Sequence, residues 1–155
     1  MVSTELLRRY PFFNVFPETQ LKAIAMVAQE VTYEIGQALY EIDKPADKLF
    51  LMLSGCVEHY FVVLDSPDPA IRKEYYLSDI NAGDIFGLSS LIEPYRHTTT
   101  ARATAISRVI QIESSSINTL GELDPKLGYL IMYQVAKAVA EKLESTRVQL
   151  AATRA

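Results

Sequence analysis

Few side chains in this sequence could do covalent or metal chemistry, and their spacing tells against it. There are two histidines, His59 and His97, and one cysteine, Cys56. A catalytic set needs a nucleophile, a base and an orienting partner, and neither a nucleophile elbow nor a metal-ligand spacing occurs. Cys56 and His59 are an odd number of positions apart in a strand-like run, which sends them to opposite faces and argues against a shared metal or a Cys–His pair. A haem would need an axial ligand from His59, His97 or Cys56, and nothing around these residues supports one. The chain is therefore expected not to be an enzyme. A lone cysteine also excludes an internal disulfide and fits a reducing, cytoplasmic compartment.

The remaining polar groups suit recognition without covalent chemistry. The run Arg96-His97-Thr98-Thr99-Thr100 concentrates hydroxyls, although three threonines also read simply as strand. Tyr60, Tyr75, Tyr76, Tyr129 and Tyr133 read as core or rim aromatics before they read as a stacking platform. Arg8–Arg9 and Arg96–His97 are small basic patches of the kind usually solvated. With 15 Lys and Arg against 19 Asp and Glu, the net charge is −4. That balance supplies no basic face for nucleic-acid phosphates, so no DNA binding within this chain is expected.

These residues must be held by elements that the sequence also announces. The 155 residues are expected to form one domain, 1–155, large enough for a core without staples. The longest apolar run, 49–53, is far short of a membrane span, and no apolar stretch follows the N-terminal arginines as a secretory signal would require. Ser3 is a helix cap and Pro11 a stop; Pro17 suits the first position of a second helix, with Leu21, Ile24, Ala25 and Ala28 facing the core. From Val31 the period becomes two, with Val31, Tyr33 and Ile35 inward as far as Gly36. Further strands are expected over 38–42, 48–53, 56–64, 74–79, 98–105 and 108–112. Ser54-Gly55 reads as a hairpin turn, 65–69 as a polar loop, and 86–92 as a very short helix before Pro94. One of Ser114–Ser116 would cap a small helix ended by Gly121, and Pro125 opens a long one running through Leu150. N-terminal helices over 1–30, strands over 31–112 and C-terminal helices over 113–155 make an α+β fold around a β-barrel or roll.

Four segments carry a resemblance to a known family. Tyr33-Glu34-Ile35-Gly36-Gln37-Ala38-Leu39-Tyr40 is similar to a first glycine turn and its following strand. Lys48-Leu49-Phe50-Leu51-Met52-Leu53-Ser54-Gly55-Cys56-Val57 is similar to an apolar strand, a glycine turn and an outgoing strand. Gly83-Asp84-Ile85-Phe86-Gly87 and Arg102-Ala103-Thr104-Ala105 match the two ends of a phosphate-binding cassette, 83–104. In this order, over about residues 12–150, they resemble the cyclic-nucleotide-binding domain family of the catabolite activator protein, the regulatory subunits of cAMP-dependent kinase and nucleotide-gated channels. The resemblance implies a β-roll of the double-stranded β-helix (jelly-roll) type, flanked by N-terminal helices and a long C-terminal helix. It implies a non-catalytic sensor that binds cAMP, cGMP or a related small anion, with no cofactor and no metal, and signals through its C-terminal helices. A short helix after Gly87 would offer amides of Leu88, Ser89 and Ser90 to a cyclic phosphate.

Two positions depart from the family pattern. Leu88 stands where the family has a glutamate for the ribose, and His97 where it has an arginine for the phosphate. Losing two hydrogen bonds to charged groups costs about 3–6 kcal/mol, which would move a micromolar ligand to roughly 0.1–10 mM. Ser89, Ser90, Thr98, Thr99, the helix amides and Arg96 remain, although Arg96 and His97 should point to opposite faces. A protonated His97 would reveal itself as binding that strengthens on acidification. Along the long helix, Met132, Ala136, Val139, Leu143, Thr146 and Leu150 alternate by four and three, a heptad seam interrupted at Thr146. Leu127, Leu130, Ile131 and Val135 widen it where it should meet the roll. The resemblance implies a homodimer through 129–150 and, aligned on Ala140-Glu141-Lys142-Leu143, places Thr146 near the base. The alternative is a degenerate domain that binds no nucleotide and acts as a dimeric protein-interaction module.

Overall fold

In the computed structural model, which describes residues 1–63, 68 and 72–155, helices enclose a roll of two antiparallel sheets. Ser3 caps α1 (Thr4–Arg8), its Oγ accepting from the Leu6 amide at 3.1 Å. Pro17 is the N-cap of α2 (Glu18–Val27) and not its first helical residue, because its ψ of 156° is still extended. The chain passes without a loop into β1 (Ala28–Tyr33). Ile35, expected to be half-buried, is exposed, because the ladder ends at the Tyr33–Ser107 pair and the chain turns away at Gly36.

The remaining strands are β2 (Ala38–Tyr40), β3 (Lys48–Ser54), β4 (Val57–Val62), β5 (Glu74–Ile80), β6 (Ile85–Phe86), β7 (Thr100–Ala103) and β8 (Ser107–Glu113). One sheet runs β1-β8-β3-β6 and the other β2-β7-β4-β5. The expected polar loop over 65–69 lies, apart from Asp68, outside the described residues, as does the end of the strand expected to reach Leu64.

The hairpin expected at Ser54-Gly55 does not form. β3 pairs with β8 and β6, while β4 pairs with β5 and β7, so the turn carries the chain from one sheet to the other. Gly55 sits at φ +102°, and a Cβ there would lie 2.5 Å from the Ile106 carbonyl oxygen and from Ser107. The glycine is needed for that close approach, which the Cys56 amide reinforces by donating to Ser107 Oγ at 3.1 Å.

Two cores follow from the period of two in β3. Leu49 and Leu51 face a cluster shared with Phe13, Phe16, Leu21, Ile24, Leu127 and Ile131 of the helices. Phe50 and Met52 face the space between the sheets, with Val57, Phe86, Ala101 and Val109. Both faces are covered, which is why this strand reads as an uninterrupted apolar run.

Gly121 does not end the small helix. α3 runs Ser114–Leu123, and Gly121 meets Gly128 of the next helix, where an added Cβ on Gly128 would lie 3.0 Å from the Gly121 Cα. Asp124 instead makes the break, its carboxylate accepting from the Lys126 and Leu127 amides to cap α4 (Pro125–Arg154). Gln134, buried on α4, donates to the carbonyls of Pro11 and Phe12 at 3.2 and 3.0 Å. This α+β architecture is the β-roll that the sequence predicts. Among the described residues, no helix is long and apolar enough to cross a membrane.

Candidate functional site

β6 delivers the chain to Gly87, which adopts φ +73° where a Cβ would lie 2.7 Å from the Lys48 carbonyl oxygen and 2.8 Å from the Phe50 ring. Only glycine fits that turn without displacing β3. A single turn of 3-10 helix, Leu88–Leu91, follows. Leu88 and Ser89 line a cavity of about 220 Å³ between this turn, the β2-β7-β4-β5 sheet and α4. Leu88 is also largely buried in the helix-side core, so the position expected to carry a ribose acceptor is occupied by packing.

The other expected residues divide. Ser90 is buried, and both its amide and its hydroxyl donate to the Gly87 carbonyl, at 3.1 and 2.8 Å. It closes the turn and does not offer its amide to a ligand, a correction to the sequence reading. Arg96 is corrected as well: its guanidinium donates to the Asp43 carbonyl and lies 3.9 Å from the Asp43 carboxylate, pointing outward into solvent. Thr98 and Thr99 line the cavity, but β7 begins only at Thr100. Thr100 is spent on the fold, its buried hydroxyl accepting from the Ile42 amide at 2.9 Å.

His97 is no cation. It is 6% exposed and stacks flat on Tyr40, with ring centroids 3.8 Å apart and planes 7° from parallel. Burial pushes its pKa down to about 4, against the opposing pull of Asp47. His59, equally buried, lies with Nε2 2.8 Å from the Tyr40 hydroxyl. Burial, and then the positive charge of Lys142, push it down to about 3. With these values both rings stay neutral through the mildly acidic range, so mild acidification does not by itself charge His97.

α4 forms the remaining wall. Thr146 lines the cavity as the sequence predicts, its hydroxyl donating back to the Lys142 carbonyl at 2.8 Å. Lys142 and Gln149 stand beside it, at i, i+4 and i+7 on one helical face, and neither was singled out as a site residue. That spacing was the available signal. Gln149 Nε2 donates to the Leu77 carbonyl of β5 at 3.0 Å, tying α4 across the mouth. Lys142 is exposed overall, yet the rim around its ammonium desolvates it enough to lower its pKa, against the pull of Asp84. Tyr40, His59, Leu77, Ser78 and Phe86 are the other lining residues absent from the expected set; all but Phe86 come from strands of the β2-β7-β4-β5 sheet.

Two other clusters are less promising. A cavity of about 400 Å³ lies beside Glu41, Thr100 and Arg102. There Arg102 is held by Glu74 through two hydrogen bonds of 2.8 and 2.9 Å and lies over the Tyr60 ring. Cys56, Glu58 and Asp79 bring one ligand atom each within 4.8 Å of one another, across paired strands where no sequence spacing would reveal them. Both carboxylates already accept from tyrosine hydroxyls, Glu58 from Tyr60 and Asp79 from Tyr76.

Comparison with known proteins places these features in a context. The sequence model of the cyclic nucleotide-binding domain matches residues 30–123. The chain is 23% identical over 147 residues to a CRP-like cAMP-activated global transcriptional regulator of Mycobacterium tuberculosis, covering 95% of this chain and 61% of that protein. It thus spans about three fifths of that relative's length. A crystal structure from Geobacter metallireducens, of a protein provisionally described as cyclic-nucleotide-binding, is 36% identical with a TM-score of 0.78, over 92% of this chain and 99% of that one. The Thermus thermophilus catabolite activator protein shares the fold at 19% identity and a TM-score of 0.71, over 93% of this chain and 63% of that one.

Proposed function

The chain belongs to the cyclic nucleotide-binding domain family, and from that premise we propose that it is a non-catalytic, cytoplasmic sensor module whose roll cavity takes cAMP, cGMP or a related small anion. The observation that carries this reading is the cavity beside Gly87, walled on one side by the cassette turn and on the other by α4. Its site residues are Gly87, Leu88, Ser89, Thr98, Thr99 and Thr146. The name of the Mycobacterium tuberculosis relative ties that protein to activation by cAMP.

The size of the cavity suggests the signal. At about 220 Å³ it is below the roughly 300–1,000 Å³ usual for small-molecule sites. A nucleotide would fit by moving α4 outward and breaking the Gln149–Leu77 hydrogen bond, so it would favour one helix arrangement over another. Only such a differential affinity can couple occupancy to output. α4 also leaves Met132, Val139, Leu143 and Leu150 between 41% and 51% exposed along its outer seam. A parallel homodimer through 129–150 would cover them and pass the helix shift to a second subunit.

A second reading, a dimeric interaction module that binds no nucleotide, is favoured by Leu88, which fills the acceptor position with core packing. Titration calorimetry with cAMP and cGMP, combined with amide chemical shifts, separates the two. The sensor reading expects dissociation constants of about 10 mM or tighter and shifts at Gly87, Ser89 and Thr99. No shift at either nucleotide's solubility limit would leave the interaction module.

A further inference from the structure

Resting on that reading and deepening it, we propose that Lys142 of α4 supplies the positive charge that holds a monoanionic ligand in this cavity, so that the ligand's charge bridges the roll to the long helix. Among the described residues that line the cavity, Lys142 is the one that carries a full charge, since His59 and His97 are neutral. The basic residues nearer the cassette are committed elsewhere, Arg96 to Asp43 and Arg102 to Glu74. Lys142 has no carboxylate within 4.0 Å among the described residues.

The electrostatics agree with this placement. The ammonium is close enough to His59 to depress its pKa, and it is itself depressed by desolvation. A partly desolvated cation that only the more distant Asp84 carboxylate opposes is unfavourable, and an entering anion relieves that cost. Lys142 lies beyond residues 30–123, where the family model matches.

The chemistry also limits the ligand. One ammonium balances one negative charge, and the groups around it are hydroxyls (Ser89, Thr98, Thr99, Thr146) and neutral rings. A phosphodiester fits this set better than a phosphomonoester, which carries nearly two charges at neutral pH. A lysine on the long helix, in place of a cation on the roll, keeps α4 tied to the ligand by charge even as the ligand's bulk sets the helix further out.

The test uses the full chain with cAMP and adenosine by calorimetry, and dimethyl phosphate by NMR of lysines labelled at Cε. K142Q is expected to weaken cAMP about 10–100-fold and leave adenosine unchanged, while K142R keeps most of the affinity. Lys142 faces the cavity mouth, and glutamine is a good helix former, so unchanged circular dichroism melting should accompany K142Q. If K142Q binds cAMP as tightly as the parent does, the proposal is overturned while the nucleotide reading stands. If the parent binds no cAMP, the nucleotide reading fails on its own. Dimethyl phosphate then decides: an upward shift of the Lys142 titration supports the anion site, and no shift overturns it.

Discussion

Lowering the pH from 7 to 5 should destabilise this protein by about 4 kcal/mol through two buried imidazoles. His59 and His97 titrate near 3 and 4 in the folded chain, mainly because burial disfavours their charged forms, and near 6.5 when unfolded. Both folded values are depressed, so the unfolded chain binds more protons as pH falls. The stability gained by keeping the rings neutral is complete above about pH 6.5 and is lost as pH falls toward 4 and 3. At pH 5 an unfolded histidine is almost fully protonated and a folded one scarcely so, a difference of about 1.5 pH units, or about 2 kcal/mol per ring at 1.36 kcal/mol per unit. Each ring is only 6% exposed, so little solvent screening reduces that figure. Urea unfolding followed by circular dichroism at pH 7, 6 and 5 measures it. Between pH 6 and 5 the parent should lose about 2 kcal/mol and His97→Phe, which keeps a ring against Tyr40, about 1. His59→Gln repeats the comparison at the other ring. Carboxylates titrate alike in parent and variant, so the difference isolates the imidazole. Parent and variants with the same pH dependence would refute the burial argument.

Two other perturbations probe the fold and the seam. Gly55→Ala should cost at least about 2 kcal/mol in urea unfolding, since its Cβ would lie 2.5 Å from backbone atoms of 106–107 at a positive φ; a loss under about 0.5 kcal/mol would mean the sheet-to-sheet crossing relaxes freely. If the proposed homodimer through 129–150 forms, Leu143→Lys, at a half-exposed seam position, should turn it into a monomer in sedimentation velocity without lowering helicity, whereas an unchanged sedimentation coefficient would refute a dimer through this seam.

Local signals in the sequence carried the elements further than their partners. Ser3 and Pro125 mark helix starts to the residue, because caps and prolines act on their immediate neighbours, whereas α1 ends at Arg8, three residues before Pro11. The run 49–53 reads correctly as strand, but nothing local says that Ser54-Gly55 changes sheets. A turn glycine looks the same whether its strands pair with each other or with distant ones. Gly121 was misread for a related reason, since a glycine inside a helix announces a close neighbour only once Gly128 is known to face it. In the site, Gly87, Ser89, Thr98, Thr99 and Thr146 were legible through the cassette pattern and the helix register. Lys142 and Gln149 were not, because on a long helix such residues read as solvated until the cavity beneath them is seen. Ser90 is assigned to a ligand by its place in the cassette turn and Arg96 by its place beside His97, and hydrogen bonding to Gly87 and Asp43 takes them away from it.

β3 has a consequence for how a disturbance at the cassette would travel. Phe50 presses on Gly87 and stacks on Phe86 with centroids 5.1 Å apart, while its neighbours Leu49 and Leu51 are seated among the helices. Successive side chains of a pleated strand point to opposite faces, so one ribbon meets the cassette turn on one side and, on the other, the helix-side cluster that includes Leu127 and Ile131. A displacement of β3 at the turn would therefore disturb the packing beneath the long helix as well as the space between the sheets.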